Sequence, residues 1–226
     1  MTKTKKATKK SPKKTFVALV LDKSGSMDMC RLQAIEGFNS QMQVIKENAA
    51  KGGDTKISVI VFNGLVSIQQ DAVPADKIEK LTHESYQPNG STAMLDAVWD
   101  AIVSLEKHDD KGEQTAFLVV TISDGEENAS MRTDSKTLAE KIQQLEDTER
   151  WTFGYVGANQ DLSKINQYLN IPVQNSLVYA ATVDGYNCMN NVASASVGSY
   201  MSLRAAGTTN TSNYFVQSSQ TTTVKK

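Results

Sequence analysis

The chain has 226 residues, 39% hydrophobic and 22% charged, with a net charge of −1. That length and apolar content suit one globular domain with a core of its own. Two cysteines are too few for a disulfide framework, no apolar run reaches the ~20 residues of a bilayer span, and no apolar signal segment opens the chain, so a reducing, cytoplasmic setting away from membranes is expected.

Residues 1–14 hold seven lysines and no acid, and residues 207–226 hold two lysines and no acid. The body, 15–206, keeps fifteen bases against 25 acids, a net of −10. Such a surface suits nucleic acid poorly, which leaves the Lys-rich tail as the one stretch that could meet nucleic acid or an acidic partner. Residues 1–14 lack an apolar face and read as a disordered tail. Residues 207–226 are rich in Ser, Thr, Asn and Gln and read as a flexible tail, with at most a docked turn at Tyr214-Phe215.

Between the tails, strands and helices alternate. Phe16–Leu21 is a continuous apolar run, followed by Arg31–Ala50 with Leu32, Ile35, Phe38, Met42 and Ile45 at helical spacing. Ile57–Phe62 is a second run. Asn63-Gly64 then separates it from Leu65–Ile68, a hairpin signal that predicts one antiparallel strand at an edge. Thr92–Lys107 is helical through Leu95, Val98, Trp99, Ile102 and Leu105. Ala116–Ile122 is a third buried run, and Thr137–Glu149 a helix. Trp151–Val156, a helix over Asp161–Leu169, a short strand at Asn175–Ala180 and a helix opened by Asp184 complete the pattern. Continuous apolar runs mark strands covered on both faces. The fold class is therefore α/β: a doubly wound, mostly parallel sheet with one antiparallel edge strand.

Ligands in such sheets bind beyond the carboxyl ends of the strands, where strand order reverses. Three oxygen-rich segments fall at that edge or at a helix start. Asp22-Lys23-Ser24-Gly25-Ser26 follows the first run, Gly90-Ser91-Thr92 precedes a helix, and Ser123-Asp124-Gly125 follows the third run. Two carboxylates and three hydroxyls suit a hard divalent cation such as Mg²⁺. Taken singly, the same segments also read as helix caps or turns. The adjacency of the two Asp-bearing strands does not follow from the residues alone.

Together with Met27 and Ala93-Met94-Leu95-Asp96-Ala97, these segments resemble the three motifs of von Willebrand factor A domains. The resemblance spans roughly 15–205 and is nearest to the small single-domain bacterial and phage members, with a weaker match at Tyr155–Asp161. It implies a Rossmann-like sheet with the strands at 16–21 and 116–122 side by side. It implies a metal-ion-dependent adhesion site in which Ser24, Ser26 and Thr92 bind Mg²⁺ (or Mn²⁺) directly, and Asp22 and Asp124 act mainly through water and hydrogen bonds. One coordination position would remain for an Asp or Glu of a protein partner.

The expected function is thus a Mg²⁺-dependent protein-binding module rather than an enzyme. The set lacks a base–nucleophile pair, and the second Asp of dehalogenase-like phosphatases is replaced by Ser24. A phosphoryl-transfer enzyme and an assembly protein whose metal only stabilises loops are the alternatives. Asp96 reads as an exposed helix acid or as a support for the Thr92 loop. Glu126 and Glu127 read as loop charges or a negative rim, and Lys23 as a surface residue. Neither His83 nor His108 has a second zinc ligand at suitable spacing. Cys30 and Cys188 read as small packing residues on helices.

Overall fold

A computed structural model describes residues 13–50, 53–158 and 162–215. Six strands form one sheet: β1 (Lys14–Asp22), β2 (Asp54–Phe62), β3 (Val66–Pro74), β4 (Thr115–Ser123), β5 (Trp151–Ala158) and β6 (Ser176–Tyr179). The helices are α1 (Arg31–Ala49), α2 (Met94–Glu106), α3 (Ser135–Glu146), α4 (Leu162–Leu169) and α5 (Val183–Ala206). The spatial order is β3-β2-β1-β4-β5-β6, parallel except for β3, which pairs antiparallel with β2 at one edge. Strand order reverses between β1 and β4, which are direct neighbours from Lys14↔Thr115 to Leu21↔Ile122.

The continuous runs are buried on both faces, as their composition requires. Val17, Leu19 and Leu21 of β1 face a core shared with Phe38, Met42 and Ile45 of α1 and Met189 and Val197 of α5. Phe16, Ala18 and Val20 face the opposite core, built with α2, α3 and α4. Gly37 allows α1 and α5 to touch: a Cβ there would lie 1.8 Å from Asn190 Oδ1. Leu32, expected on the apolar stripe of α1, is instead 48% exposed.

The hairpin at Asn63-Gly64 forms with a three-residue connection. Asn63 Oδ1 accepts the Leu65 amide at 3.0 Å, and the Asn63 amide donates to Leu65 O. The asparagine side chain thus closes the turn through an Asx-type bond. β3 carries a bulge where Ala72 takes φ 47°, and Ser58 Oγ accepts the displaced Ala72 amide at 2.9 Å.

Both expected tail boundaries shift. Lys14 belongs to β1 and pairs with Asp110 at 2.6 Å. At the other end α5 stops at Gly207, whose φ of 105° suits only a residue without Cβ. The chain then returns to the body. The Thr211 amide donates to Thr152 Oγ1, the Tyr214 amide to Asn175 Oδ1 at 2.7 Å and the Phe215 amide to Gln174 O. Tyr214 and Phe215 are buried against Gly154. Two aromatic rings and a few backbone bonds suffice to fix this otherwise polar segment. The remaining tail residues, 1–12 and 216–226, lie outside the described residues.

Candidate metal centre

β1 ends on Asp22, and β4 ends on Ser123 with Asp124 next in the chain. Because the strands are neighbours, both carboxylates reach the carboxyl edge at the point of reversal, where the two adjacent loops separate. Asp22 is fully buried. Its Oδ1 accepts the Ser24 amide at 2.6 Å, and its Oδ2 accepts Ser123 Oγ at 2.6 Å. Ser24 Oγ lies 3.1 Å from Ser26 Oγ, and Ser26 Oγ donates to Asp124 Oδ1 at 2.6 Å. Tyr186 OH reaches Asp124 Oδ2 at 3.5 Å.

Thr92 joins from the connection between β3 and α2. A Cβ placed on Gly125 would lie 2.8 Å from Thr92 Oγ1 and 3.4 Å from both Asp22 Oδ2 and Ser24 Oγ. Oxygens from two loops therefore border one small space beside the glycine of a third. Thr92 is fixed by its backbone: its amide donates to Asn128 Oδ1, and its carbonyl accepts the amides of Asn128 and Ala129.

The capping alternative does not describe these hydroxyls. Ser24 precedes the 3₁₀ turn Gly25–Cys30 in extended backbone, yet its side chain makes no capping bond. The N-cap of α2 is Ala93, and the first-turn amides of Leu95 and Asp96 donate to Glu127 and Ser130 rather than to Thr92. The hydroxyls of Ser24 and Thr92 turn toward the shared space instead. Ser123-Asp124-Gly125 is a turn, with Ser123 Oγ accepting the Gly125 amide, and it serves the site as well.

Burial holds the carboxyl groups of Asp22 and Asp124 above the ordinary carboxylate range, and the charge of Asp124 raises Asp22 further. Two part-desolvated carboxylates with three neutral hydroxyls form an all-oxygen donor set that a hard cation satisfies. Among the described residues no group of three or more His, Cys, Asp or Glu side chains forms a metal cluster. The donor set here depends on hydroxyls for three of its five members.

Several supporting residues escaped sequence reasoning. Tyr86 OH donates to Asp22 O at 2.5 Å, and Tyr86 is fully buried in a connection with no periodic signal. Asp96 is buried rather than exposed, and it supports a different loop from the one expected: it accepts the amides of Met131, Arg132 and Thr133 at 2.9–3.1 Å. Those amides, with Arg132, hold the Asp96 carboxyl below its usual range against the cost of burial. Glu127 is neither a rim charge nor a free loop charge. Its carboxylate accepts the amides of Leu95, Ala129 and Ser130, tying the loop after β4 to the start of α2. Only the placement of neighbouring amides identifies such acids, and a single sequence does not carry it.

The remaining candidates stay outside the site. His108 stacks on Phe16 and lies 3.6 Å from Asp71. Lys23 is half-buried, with its backbone bonded to Phe62 and Asn89. Cys30 is buried, with its thiol pushed up to about 11 chiefly by burial. Cys188 is exposed, contrary to a packing role.

No family model matches this sequence, and no curated protein does. Solved structures do match. A von Willebrand factor type A protein from Catenulispora acidiphila aligns over 84% of this chain at 16% identity, with a TM-score of 0.54. Proximal thread matrix protein 1 from the mussel byssus, with a zinc-occupied MIDAS motif, aligns over 84% at 12% identity and a TM-score of 0.57. The von Willebrand factor domain of a type V pilus tip protein from Porphyromonas gingivalis aligns over 88% of this chain and 97% of its own, at 10% identity and a TM-score of 0.57. The chain spans 43% of the Catenulispora protein and 46% of the byssus protein. The fold is that of von Willebrand factor A domains. No helix among the described residues is long and apolar enough to cross a membrane.

Proposed function

We propose that this chain is a protein-binding module that engages an acidic residue of its partner through a Mg²⁺ ion. Ser24, Ser26 and Thr92 would hold the ion through their hydroxyls, with Asp22 and Asp124 supplying the negative charge. The cation would supply the attraction for an incoming carboxylate at a position the chain leaves open. The observation that carries the reading is the convergence of Thr92 Oγ1, Asp22 Oδ2 and Ser24 Oγ around the space beside Gly125. The fold shared with the byssus protein of zinc-occupied motif supports it.

No hydrolytic role is proposed for these residues. Both Asp22 oxygens already accept hydrogen bonds from Ser24 and Ser123, and the Cys30 thiol is buried and neutral at physiological pH. Calorimetric titration of Mg²⁺ and Mn²⁺ into the full chain tests the site. One saturable event per chain, lost in Thr92→Ala and Asp22→Ala, is expected. A partner captured in Mg²⁺ should be released by EDTA and lost when its key Asp or Glu becomes Asn or Gln. Absence of any divalent-ion heat or stabilisation would overturn the assignment. Metal-dependent turnover of a phosphate ester, abolished by Asp22→Asn, would favour an enzyme instead.

A further inference from the structure

The most exposed large apolar side chains of the described residues are Met29 and Met131 at 93%, Leu65 at 80% and Val183 at 58%. Met29 follows β1, Leu65 follows β2, Met131 lies in the loop after β4, and Val183 opens α5 after β6. All four therefore stand on the carboxyl edge of the sheet, around the candidate metal centre. A site for a small free anion has no use for an apolar surround of this kind. A protein surface does, since the centre of an interface is depleted in charge and enriched in Met and aromatic groups.

On one side this surround deepens into a pocket of about 400 Å³, within the ~300–1,000 Å³ range of ligand sites. Met29, Cys30, Ala158, Val183 and Tyr186 supply its apolar walls, and Ser26 and Asp124 line it as well. Tyr186 packs edge-on to Tyr179 at 4.8 Å and turns its hydroxyl to Asp124, which leaves ring surface for the pocket. Two of the five proposed cation-holding residues are thus also pocket wall. The pocket therefore adjoins the proposed cation position.

We infer that this pocket takes an apolar side chain of the protein partner, carried next to the acidic residue that reaches the cation. The specificity unit is then an Asp or Glu followed or preceded by a Leu-like residue, the cation selecting the charge and the pocket selecting its neighbour. This inference rests on the proposed function. The net charge of −10 on the body agrees with it, because without the cation an acidic peptide is repelled from this surface.

The test uses the full chain and a phage-displayed library of random heptapeptides, bound in Mg²⁺ and eluted with EDTA. The expected pool carries an acidic residue beside Leu, Ile, Met or Phe. A synthetic peptide of the selected sequence should bind at least roughly tenfold more weakly when its apolar residue becomes Ser. The double variant Met29→Gln/Val183→Gln changes two side chains already exposed to water and adds no charge, so the fold should tolerate it. It should keep EDTA-sensitive capture of acidic peptides and lose the apolar preference. An EDTA-eluted pool that is acidic with no apolar neighbour overturns the pocket assignment and leaves the metal reading standing. A pool no larger than background overturns both.

Discussion

Gly125→Ala separates the metal centre from the fold more cleanly than removing a ligand does. Gly125 does not occupy the left-handed region, so alanine adds no backbone strain there. Its methyl would enter the space bounded by Thr92 Oγ1 at 2.8 Å and by Asp22 Oδ2 and Ser24 Oγ at 3.4 Å. Only the contact with Thr92 demands a shift, and one rotated hydroxyl side chain costs on the order of 1 kcal/mol. The metal-free variant should therefore melt within a few degrees of the wild type. The cation effect should differ far more. At a free Mg²⁺ concentration near 100 times Kd, binding stabilises the native state by about 2.7 kcal/mol. For a body of this size that is roughly 5–11 °C in Tm. Differential scanning fluorimetry with and without Mg²⁺ should show that rise in the wild type and little or none in Gly125→Ala. A variant that keeps the full Mg²⁺ shift would show that the cation does not sit beside Gly125.

Three further outcomes follow from other parts of the molecule. Burial, with Asp147 nearby, pushes the Glu146 carboxyl up to about 7. Its folded form favours the proton, so its contribution is full below the ordinary value of 4.5 and lost as pH rises through about 7; Glu146→Gln should raise stability by about 1–2 kcal/mol near pH 8 and change little near pH 4.5. Phe215→Ala should cost about 3–5 kcal/mol in urea unfolding if the returning segment is core, whereas a change within ~0.5 kcal/mol would mean it is not. The side chain of Asp109 is 3% exposed and forked to Arg150 at 2.7–2.8 Å, so Asp109→Ala should cost about 3–5 kcal/mol by stranding a half-buried guanidinium; a loss under about 1 kcal/mol would mark the pair as solvated.

What was legible beforehand depended on whether the chemistry is local. Phe16–Leu21, Ile57–Phe62 and Ala116–Ile122 announce themselves as strands because both faces are buried and nearly every residue is apolar, with Ser58 and Thr121 the exceptions. Asp22 and Asp124 are visible because they sit directly after such runs. Thr92 alone looks like a helix cap, and only the backbone shows Ala93 in that role. Asp96 and Glu127 read as solvated charges because the amides that satisfy them come from 32–37 residues away, or from a loop with no pattern of its own. Tyr86 lies in a polar stretch where periodicity has nothing to detect, whereas Tyr214-Phe215 stands out of its polar surroundings as an adjacent aromatic pair.

We propose a single divalent cation held by the hydroxyls of Ser24, Ser26 and Thr92, with Asp22 and Asp124 supplying the negative charge. Anomalous diffraction from crystals of the full chain grown with Mn²⁺ tests it most directly. One peak per chain is expected about 2.1 Å from Ser24 Oγ, Ser26 Oγ and Thr92 Oγ1, absent in crystals of Thr92→Ala. Well-ordered crystals with no peak at that position, or with Mn²⁺ bound only elsewhere, would contradict it.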